Sequence, residues 1–422
     1  MNRGSLEHSR LRIKKSDYTC LLFFLFLCVP FFRAIFSTVF SAIGVEDGAR
    51  TFILIVIAVL FLILCLQERK LLIPDFWLLL FAVAVFFALS YLAHPESAYW
   101  FERDGTGAFD YVFRPNNGLY IYLFIRLIND PKRILKTVKL AGWPMYLHFL
   151  RLVMQAMARG YWIDTSIRGY AIHKSYNLTL GYDVLIFALA FLYCALEEKR
   201  AADWIGALIG IGIILAAGSR GPVLDIGIFA VLYVLIKVSA SRKKTAVILG
   251  LVILGAGFVI AYPYLLLMLS RIMERFHISS RFLTMLSNGA ITEDSGRLTI
   301  WNATWEMIKE NPLGYGAFGS RPVISQYIFV AHPHQLFLEV LVDFGVFFGG
   351  AFIIWLLYST VKIFRMRGIP EWKGVFLIFF ARACQLLVSL TFWHSIGLWG
   401  ALAVGVCIYS ARRKGLTSYG GQ

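Results

Sequence analysis

Charged residues are scarce in this 422-residue chain, where Asp, Glu, Lys and Arg together make up only 16% of the sequence. A soluble globular protein carries about 25% charged and about 45–50% apolar residues. Here 59% of the residues are hydrophobic and the mean hydropathy is +0.69. This composition excludes a soluble globular protein, a disordered chain and a coiled coil. It predicts a membrane protein, most of whose surface contacts lipid.

The sequence also lacks paired cysteines. Its six cysteines lie in apolar stretches and form no C-x-x-C motif, which argues against a disulfide scaffold or a cysteine zinc site. Acidic residues number 25 against 41 basic ones, so the net charge is +16. The basic residues form short clusters between apolar runs, a pattern typical of cytoplasmic loops. We therefore expect no nucleic acid partner.

Twelve apolar stretches approach the roughly 20 residues that a helix needs to cross a bilayer. They are about 18–43, 51–67, 71–93, 113–129, 138–157, 177–196, 203–218, 221–238, 245–269, 335–363, 375–392 and 394–411. Lys and Arg are concentrated in alternate loops, which places both termini in the cytoplasm. The predicted fold is an all-α polytopic membrane protein with about 12 transmembrane helices and one large extracytoplasmic loop containing amphipathic helices.

This topology divides the chain into three parts. Residues 1–269 hold helices one to nine, residues 270–334 form the large extracytoplasmic (periplasmic) loop, and residues 335–422 hold helices ten to twelve and a cytoplasmic tail. In the loop, residues 273–286 suggest one amphipathic helix. A second is indicated by a helical stripe of Leu298, Trp301, Trp305 and Ile308. A loop of this length is usually functional.

Two arginines at extracytoplasmic positions are candidates for anion binding. Arg220 stands in a tight turn that its Gly and Pro neighbours already explain. Arg297 begins a predicted helix, capped by Asp294 or Ser295, at the end where the helix dipole disfavours a cation. A guanidinium can hold a phosphate through two hydrogen bonds. The alternatives are a snorkelling side chain for Arg220 and an ordinary ion pair for Arg297.

Further arginines fall within the predicted spans, where ionisable residues are candidates for function by default. They are Arg33, Arg126, Arg151 and Arg382.

Two of the eight histidines, His332 and His334, lie where the large loop re-enters the membrane. We expect no metal there, because Pro333 separates the pair and no cysteine or third histidine is near in sequence. A histidine pKa near 6.5 allows the imidazole to accept a proton at neutral pH. His334, at the head of a helix, is therefore the predicted catalytic base, which His332, Glu339 or Asp343 could orient.

Residues 314–319 match G-x-G-x-x-G. A dinucleotide site requires a strand before this motif and a long helix after it. Neither is predicted here, so we interpret the segment as a flexible turn.

Together these segments resemble the O-antigen ligase and polymerase family of bacterial polysaccharide assembly. Ser219-Arg220-Gly221 is similar to the family's Ser-Arg-Gly turn, and Ser295-Gly296-Arg297 with Trp301 and Asn311 to Gly314 is similar to its second segment. The third segment begins at His334, although Gln335 replaces the usual Asn and Gly345 lies further along than in the family pattern. By motif, the resemblance covers roughly residues 180–360.

The resemblance implies transfer of a glycan from a polyprenyl (undecaprenyl) diphosphate carrier to an acceptor hydroxyl, on the outer face of the bacterial cytoplasmic membrane. It implies no metal and no cofactor. Arg220 and Arg297 would bind the donor diphosphate, and His334 would be catalytic. The partners would be the lipid-linked glycan, an acceptor glycan or lipid A-core, and membrane lipids. Ligase and polymerase remain open, and the alternative is a polyprenyl-linked glycan flippase or other polysaccharide transporter.

Overall fold

The computed structural model describes residues 15–43, 48–67, 73–103, 105–115, 117–165, 171–174, 176–239, 296–327 and 331–413, together with the isolated positions 268, 271 and 275. The protein is mostly helical, as predicted. Its helices in chain order are α1 Lys15–Leu27, α2 Val29–Ala42, α3 Gly48–Gln67, α4 Pro74–Ala93, α5 Ala98–Glu102, α6 Gly118–Ile128, α7 Pro131–Arg159, α8 Leu178–Glu198, α9 Ala201–Ala216, α10 Arg220–Ser239, α11 Arg297–Glu310, α12 Arg321–Ile324, α13 Leu336–Arg365, α14 Pro370–Ala383 and α15 Ile396–Arg413.

A two-stranded antiparallel hairpin, which the all-α prediction did not include, joins α7 to α8. Strands β1 Trp162–Thr165 and β2 Ala171–Lys174 pair in a register that places Trp162 opposite Lys174. Each strand has four residues, too few to show an alternating apolar pattern in the sequence.

Among the described residues, four helices are long and apolar enough to cross a membrane: α4, α8, α10 and α13. Helices α1 and α2 are bent by 67° at their junction and together form a fifth candidate span. Apolar parts of α3 and α9 are shorter. The protein therefore has several membrane-capable helices, and the total of 12 stays a prediction. The predicted span 245–269 and the predicted helix 273–286 lie outside the described ranges.

Helices α6 and α14 overlap predicted spans, but each is too short to cross a bilayer alone. With 11 and 14 residues, α6 and α14 are only about 17 and 21 Å long at 1.5 Å per residue, against a hydrocarbon core of about 30 Å. After α14 the chain continues as two 3₁₀ turns, Cys384–Leu387 and Phe392–His394. Irregular backbone at membrane depth is tolerated where protein covers it or where it lines a cavity, so this segment indicates a specialised region.

Helix α13 is kinked at Gly345, where φ is +75°. A Cβ atom there would collide with the carbonyl group of Leu313, so the close approach requires glycine. The backbone of residues 312–316 supplies hydrogen bonds at the kink: Val346 N donates to Pro312 O (2.8 Å) and Gly316 N donates to Asp343 O (3.0 Å). The glycine-rich segment is thus a docked turn and not the flexible turn predicted from the sequence.

Helix α11 forms as predicted, but its buried face differs from the predicted stripe. Four residues of α11 are buried: Ile300, Thr304, Met307 and Ile308. The three apolar residues among them pack in a small core with Ile324 and Val342. Leu298 and Trp305 are 56% and 46% exposed. The stripe was wrong at these positions because α11 packs against α12 and α13, which the sequence pattern of α11 alone does not reveal.

Candidate functional site

His334 lies immediately before helix α13 in a left-handed backbone conformation, with φ of +56°. This conformation is uncommon for a residue other than glycine and is often found at functional sites. The next residue, Gln335, is the N-cap of α13, and its side-chain oxygen accepts a hydrogen bond from Leu338 N (2.6 Å). Asn is a strong N-cap residue. Gln335 therefore caps α13 although it is a longer side chain than Asn.

Helix α11 fixes the His-Pro-His segment in space. The indole nitrogen of Trp301 donates a hydrogen bond to the carbonyl oxygen of Pro333 (3.1 Å). Arg297 is the first residue of the same helix, one turn before Trp301, and the N-cap is Gly296. Because residues four apart share a helix face, Arg297 and Trp301 both face the His334 segment. Asp294 and Ser295, the predicted caps, lie outside the described residues.

The electrostatic environment of His334 keeps its imidazole neutral. Burial and the nearby Arg297 guanidinium lower the pKa of His334 from 6.5 to about 4, since both effects disfavour the imidazolium. Within the described part of the chain, its Nδ1 atom is buried and has no hydrogen-bond partner. A neutral imidazole with a spare nitrogen can accept a proton from a bound hydroxyl.

His332 and Glu339 lie near this base but differ in their contacts. The rings of His332 and His334 are 4.1 Å apart between centroids. Glu339 is buried and its Oε2 accepts a hydrogen bond from Phe392 N (3.2 Å). The carboxylate of Glu339 thus anchors the irregular segment after α14. An orienting role for either residue stays a prediction.

A buried cation that the sequence analysis did not single out lies beside Glu339. Arg321, at the start of α12, is 2% exposed and donates from Nη1 to Thr106 O (2.7 Å). Its guanidinium lies 3.3 Å from the centroid of the Phe318 ring and interacts electrostatically with Glu339 and Asp343. Asp343 Oδ2 in turn accepts a hydrogen bond from the Trp393 indole (3.1 Å). Burial lowers the pKa of Arg321 to about 10, so it remains cationic at neutral pH.

Arg220 occupies the first position of α10, in the turn that follows α9. The backbone of this turn is held against α8, because Asn177 N donates to Ala217 O (2.8 Å). A Cβ atom at Gly221 would collide with the hydroxyl of Tyr182, so the glycine of the Ser-Arg-Gly turn is needed for this packing. Among the candidates from the sequence, the structure brings Arg297 together with His334 and leaves the Arg220 role as a prediction.

A second charged cluster lies beside the Arg220 turn. Arg382, 6% exposed, lies 4.9 Å from the Tyr182 ring centroid and interacts electrostatically with Asp183 and Asp225. Asp225 is 1% exposed. Arg382 falls within a predicted span and was noted there, whereas its two acidic partners were not singled out from the sequence. The same signal, an ionisable residue inside a predicted span, marks both Asp183 and Asp225.

A deep apolar groove of about 720 Å³ opens next to these residues, between α4, α13, α14 and α15. Its lining includes Leu336, Phe392 and Trp393 near His334. It continues to Ile363 and Tyr409 towards the other end of the helices. Cavities of 300–1,000 Å³ with mostly apolar walls are typical of ligand sites.

The fold and this site define a class: a multi-pass helical membrane protein with cationic and titratable groups gathered at one end of the bundle, beside an apolar groove. Residues 205–355 match the profile of the O-antigen ligase family. This match agrees with the resemblance to the O-antigen ligase family that the motifs predicted. No curated protein and no solved structure gives a match.

Proposed function

We propose that this protein transfers a glycan from a polyprenyl diphosphate carrier to an acceptor hydroxyl, on the extracytoplasmic face of the bacterial cytoplasmic membrane. The match to the O-antigen ligase family supports a ligase or polymerase activity in polysaccharide assembly. The observation that supports this reaction most directly is that Arg297 and His334, which belong to separate segments, lie close together. A cation for the leaving group and a base for the attacking hydroxyl are what this reaction needs.

Binding of the leaving diphosphate is assigned to Arg297 and Arg220. Negative charge develops on the bridging oxygen as the glycosidic bond to the carrier breaks, and fixed cations stabilise it. Arg297 is held by α11, and Arg220 is placed by the packed turn at the start of α10. The planar guanidinium fork suits two phosphate oxygens at once.

Deprotonation of the acceptor is assigned to His334. The hydroxyl oxygen attacks the anomeric carbon while its proton passes to the imidazole, and the diphosphate leaves with the bonding electron pair. In the free protein, Arg297 helps to hold the pKa of His334 near 4. A bound diphosphate offsets the charge of Arg297, so His334 becomes a stronger base when the donor is in place. The donor therefore activates the base that its own transfer requires.

The alternative function, a polyprenyl-linked glycan flippase or transporter, requires a polar path for the glycan. The groove described above is lined almost entirely by apolar and aromatic side chains. Such walls suit a lipid tail and would not hydrogen-bond to sugar hydroxyls. The described residues thus favour a transferase.

A deletion strain tests the proposed function. Lipid-linked glycans would be extracted, analysed by mass spectrometry, and probed in spheroplasts with an external glycosidase. A transferase deletion leaves carrier-linked glycan accessible outside, as long chains for a ligase and as single repeats for a polymerase. Carrier-linked glycan that is protected from the external enzyme would instead indicate a lost flippase and contradict the proposal.

A further inference from the structure

We propose that a cluster of buried polar side chains beside the Arg220 turn binds a sugar, the one that is bonded directly to the donor diphosphate. This polar cluster consists of Ser219, Asp225, Arg382 and Gln385. The inference rests on the proposed function, in which Arg220 helps to bind the diphosphate.

The polar cluster contains a concentration of unpaired hydrogen-bonding atoms. Each of its four side chains is at most 6% exposed. Among the described residues, five buried atoms of the cluster lack a hydrogen-bond partner: Ser219 Oγ, Asp225 Oδ2, Arg382 Nη1, Gln385 Nε2 and Gln385 Oε1. Buried polar groups in folded proteins are nearly always paired, and unpaired ones cost free energy. The cluster therefore has the unmet hydrogen-bonding capacity of a binding site.

Two helices bring three members of the cluster together. Arg382, near the end of α14, interacts electrostatically with Asp225 of α10. Asp225 also interacts electrostatically with Cys384, the residue immediately before Gln385. Gln385 follows Arg382 by three residues, so the two side chains lie on the same face where α14 passes into the 3₁₀ turn. These three side chains form one wall of the proposed site.

The Arg220 turn supplies the fourth member. Ser219 packs against α8, because a Cβ atom at Gly181 would lie 3.3 Å from the Cβ atom of Ser219. The next residue of α8 is Tyr182, and its ring centroid lies 4.9 Å from the Arg382 guanidinium. Ser219 is therefore held on the same side of α8 as the other three members. An aromatic ring beside hydrogen-bonding groups also offers an apolar face for the C–H bonds of a sugar ring.

The unpaired atoms include donors and acceptors, which identifies the class of ligand. The donors are Arg382 Nη1 and Gln385 Nε2, and the acceptors are Asp225 Oδ2 and Gln385 Oε1. The Ser219 hydroxyl can act as either. A diphosphate offers acceptors almost exclusively, and the carboxylates of Asp183 and Asp225 would repel it when ionised. Each sugar hydroxyl both donates and accepts, so a sugar can satisfy the whole cluster.

The neighbouring arginine indicates which sugar is bound. Ser219 immediately precedes Arg220, and Asp225 lies only about 7.5 Å further along the axis of α10. In the donor, one sugar is bonded directly to the diphosphate that Arg220 is proposed to bind. That sugar is therefore within reach of the cluster, while the acceptor hydroxyl is assigned to His334 in a different segment.

Partly exposed ionisable groups indicate how a polar molecule reaches the cluster. Asp183 of α8 interacts electrostatically with Arg382. It is only partly buried, although most of α8 is buried. His394 also interacts electrostatically with Arg382 and is exposed. Since exposure of ionisable groups to hydrocarbon is costly, we infer that these two side chains face an opening that admits polar groups.

Equilibrium binding to the whole protein in detergent tests the sugar site directly. One probe is undecaprenyl diphosphate, and the other is the lipid-linked glycan extracted from the deletion strain. Gln385→Met keeps the length of the side chain and removes its hydrogen bonds. It should weaken binding of the lipid-linked glycan about tenfold and leave binding of undecaprenyl diphosphate unchanged. Gln155→Met, at a partly buried position of α7 outside the cluster, should change neither.

Two results of this experiment would overturn the inference. Equal weakening of both probes would show that Gln385 serves only the fold of the site. Unchanged binding of both would show that buried water alone satisfies the cluster. If Gln385→Met does not fold, Ser219→Ala provides the same contrast, with an expected loss of about threefold for the lipid-linked glycan only.

Transfer kinetics separate this inference from the proposed function. KM for the acceptor should be the same in wild type and Gln385→Met, and an increase confined to the acceptor would overturn the assignment to the donor sugar. If wild-type protein transfers no glycan, the proposed function is contradicted, and the binding contrast still decides the sugar site. If transfer proceeds and Gln385→Met binds both probes like the wild type, the sugar site is wrong, although the transferase function stands.

Discussion

Charged side chains are arranged differently at the two ends of the helix bundle. Away from His334, charges form direct pairs between neighbouring helices: Lys132 with Glu371 (2.9 Å), Lys237 with Glu197 (2.6 Å) and Arg126 with Asp75 (2.7 Å). The first of these pairs is well exposed, its two side chains being 75% and 52% accessible. Such exposed pairs contribute little to stability, and they keep the ends of apolar helices compatible with the membrane surface.

At the His334 end, in contrast, one group of charges is deeply buried. Arg321, Glu339, Asp343, Arg382 and Asp225 are all at most 6% exposed. Among the described residues, several buried atoms here lack a hydrogen-bond partner: Ser219 Oγ, Asp225 Oδ2, Arg382 Nη1 and His334 Nδ1. Burying polar groups without partners costs free energy. The comparison teaches that paired charges serve the fold, whereas the His334 end keeps a group of unfavourable buried charges that we expect to serve function.

Loss of a diphosphate-binding arginine should have the largest effect among the variants that compare the ends. Arg297→Ala and Arg220→Ala should each lower kcat/KM for transfer by about 10²–10³, because a stabilising charge near the leaving group is lost. Lys at either position should rescue only partly. Transfer is assayed on detergent-purified protein with a lipid-linked donor, and Lys132→Ala at the far end is the control. Wild-type activity in Arg220→Ala would remove that residue from the site.

Loss of the hydrogen bond that positions the His334 segment should lower activity less than loss of either arginine. Trp301→Phe removes the hydrogen bond to Pro333 O and leaves a buried carbonyl group unsatisfied, at a cost of about 1–3 kcal/mol. We expect kcat to fall about tenfold as His334 shifts, with donor affinity retained. Trp305→Phe, at an exposed position of the same helix, is the matched control. Equal kcat values for both variants would contradict the role assigned to Trp301.

The pH dependence of transfer should show whether Arg297 lowers the pKa of His334. A base acts when neutral, so activity falls as pH drops through the pKa of His334, and kcat/KM of the wild type should fall only near pH 4. Arg297→Gln removes one of the two causes of the low pKa, so its residual activity should fall at a higher pH, whereas Arg297→Lys should stay close to the wild type. Identical acid limbs in the Gln and Lys variants would contradict the coupling.

The lowered pKa of His334 also makes the stability of the protein depend on pH. The pKa of His334 is about 4 when folded and near 6.5 when unfolded. The unfolded chain therefore binds more protons between these values, and stability falls as pH drops from about 6.5 towards 4. In His334→Asn, thermal unfolding in detergent should depend less on pH across this window. An unchanged pH dependence would contradict the depressed pKa.

The smallest effect is expected at the far end. Glu371→Gln breaks the exposed pair with Lys132 and should cost less than about 1 kcal/mol, with transfer unchanged. Thermal stability and activity of the purified variant check this. A large loss of activity would show that the far end also contributes to the reaction.

The sequence predicted the helical membrane class and the position of His334 at a helix start. The spacing and composition of residues within each segment are sufficient to predict these features. It did not predict the buried face of α11 or the docking of residues 312–316 on the kink, because both depend on contacts between distant segments. We did not single out Arg321 because it falls in the predicted loop 270–334, where an exposed arginine is ordinary, and only the structure shows that it is buried.

The central claim, that His334 is the base, is tested most directly by the turnover of His334→Ala in nanodiscs with a lipid-linked donor. The account predicts retained donor binding and a turnover rate lower by about 10²–10⁴, while His332→Ala keeps most of its activity. Turnover of His334→Ala at the wild-type rate, or silencing of the wild-type protein by a chelator, would contradict the proposed metal-free base mechanism.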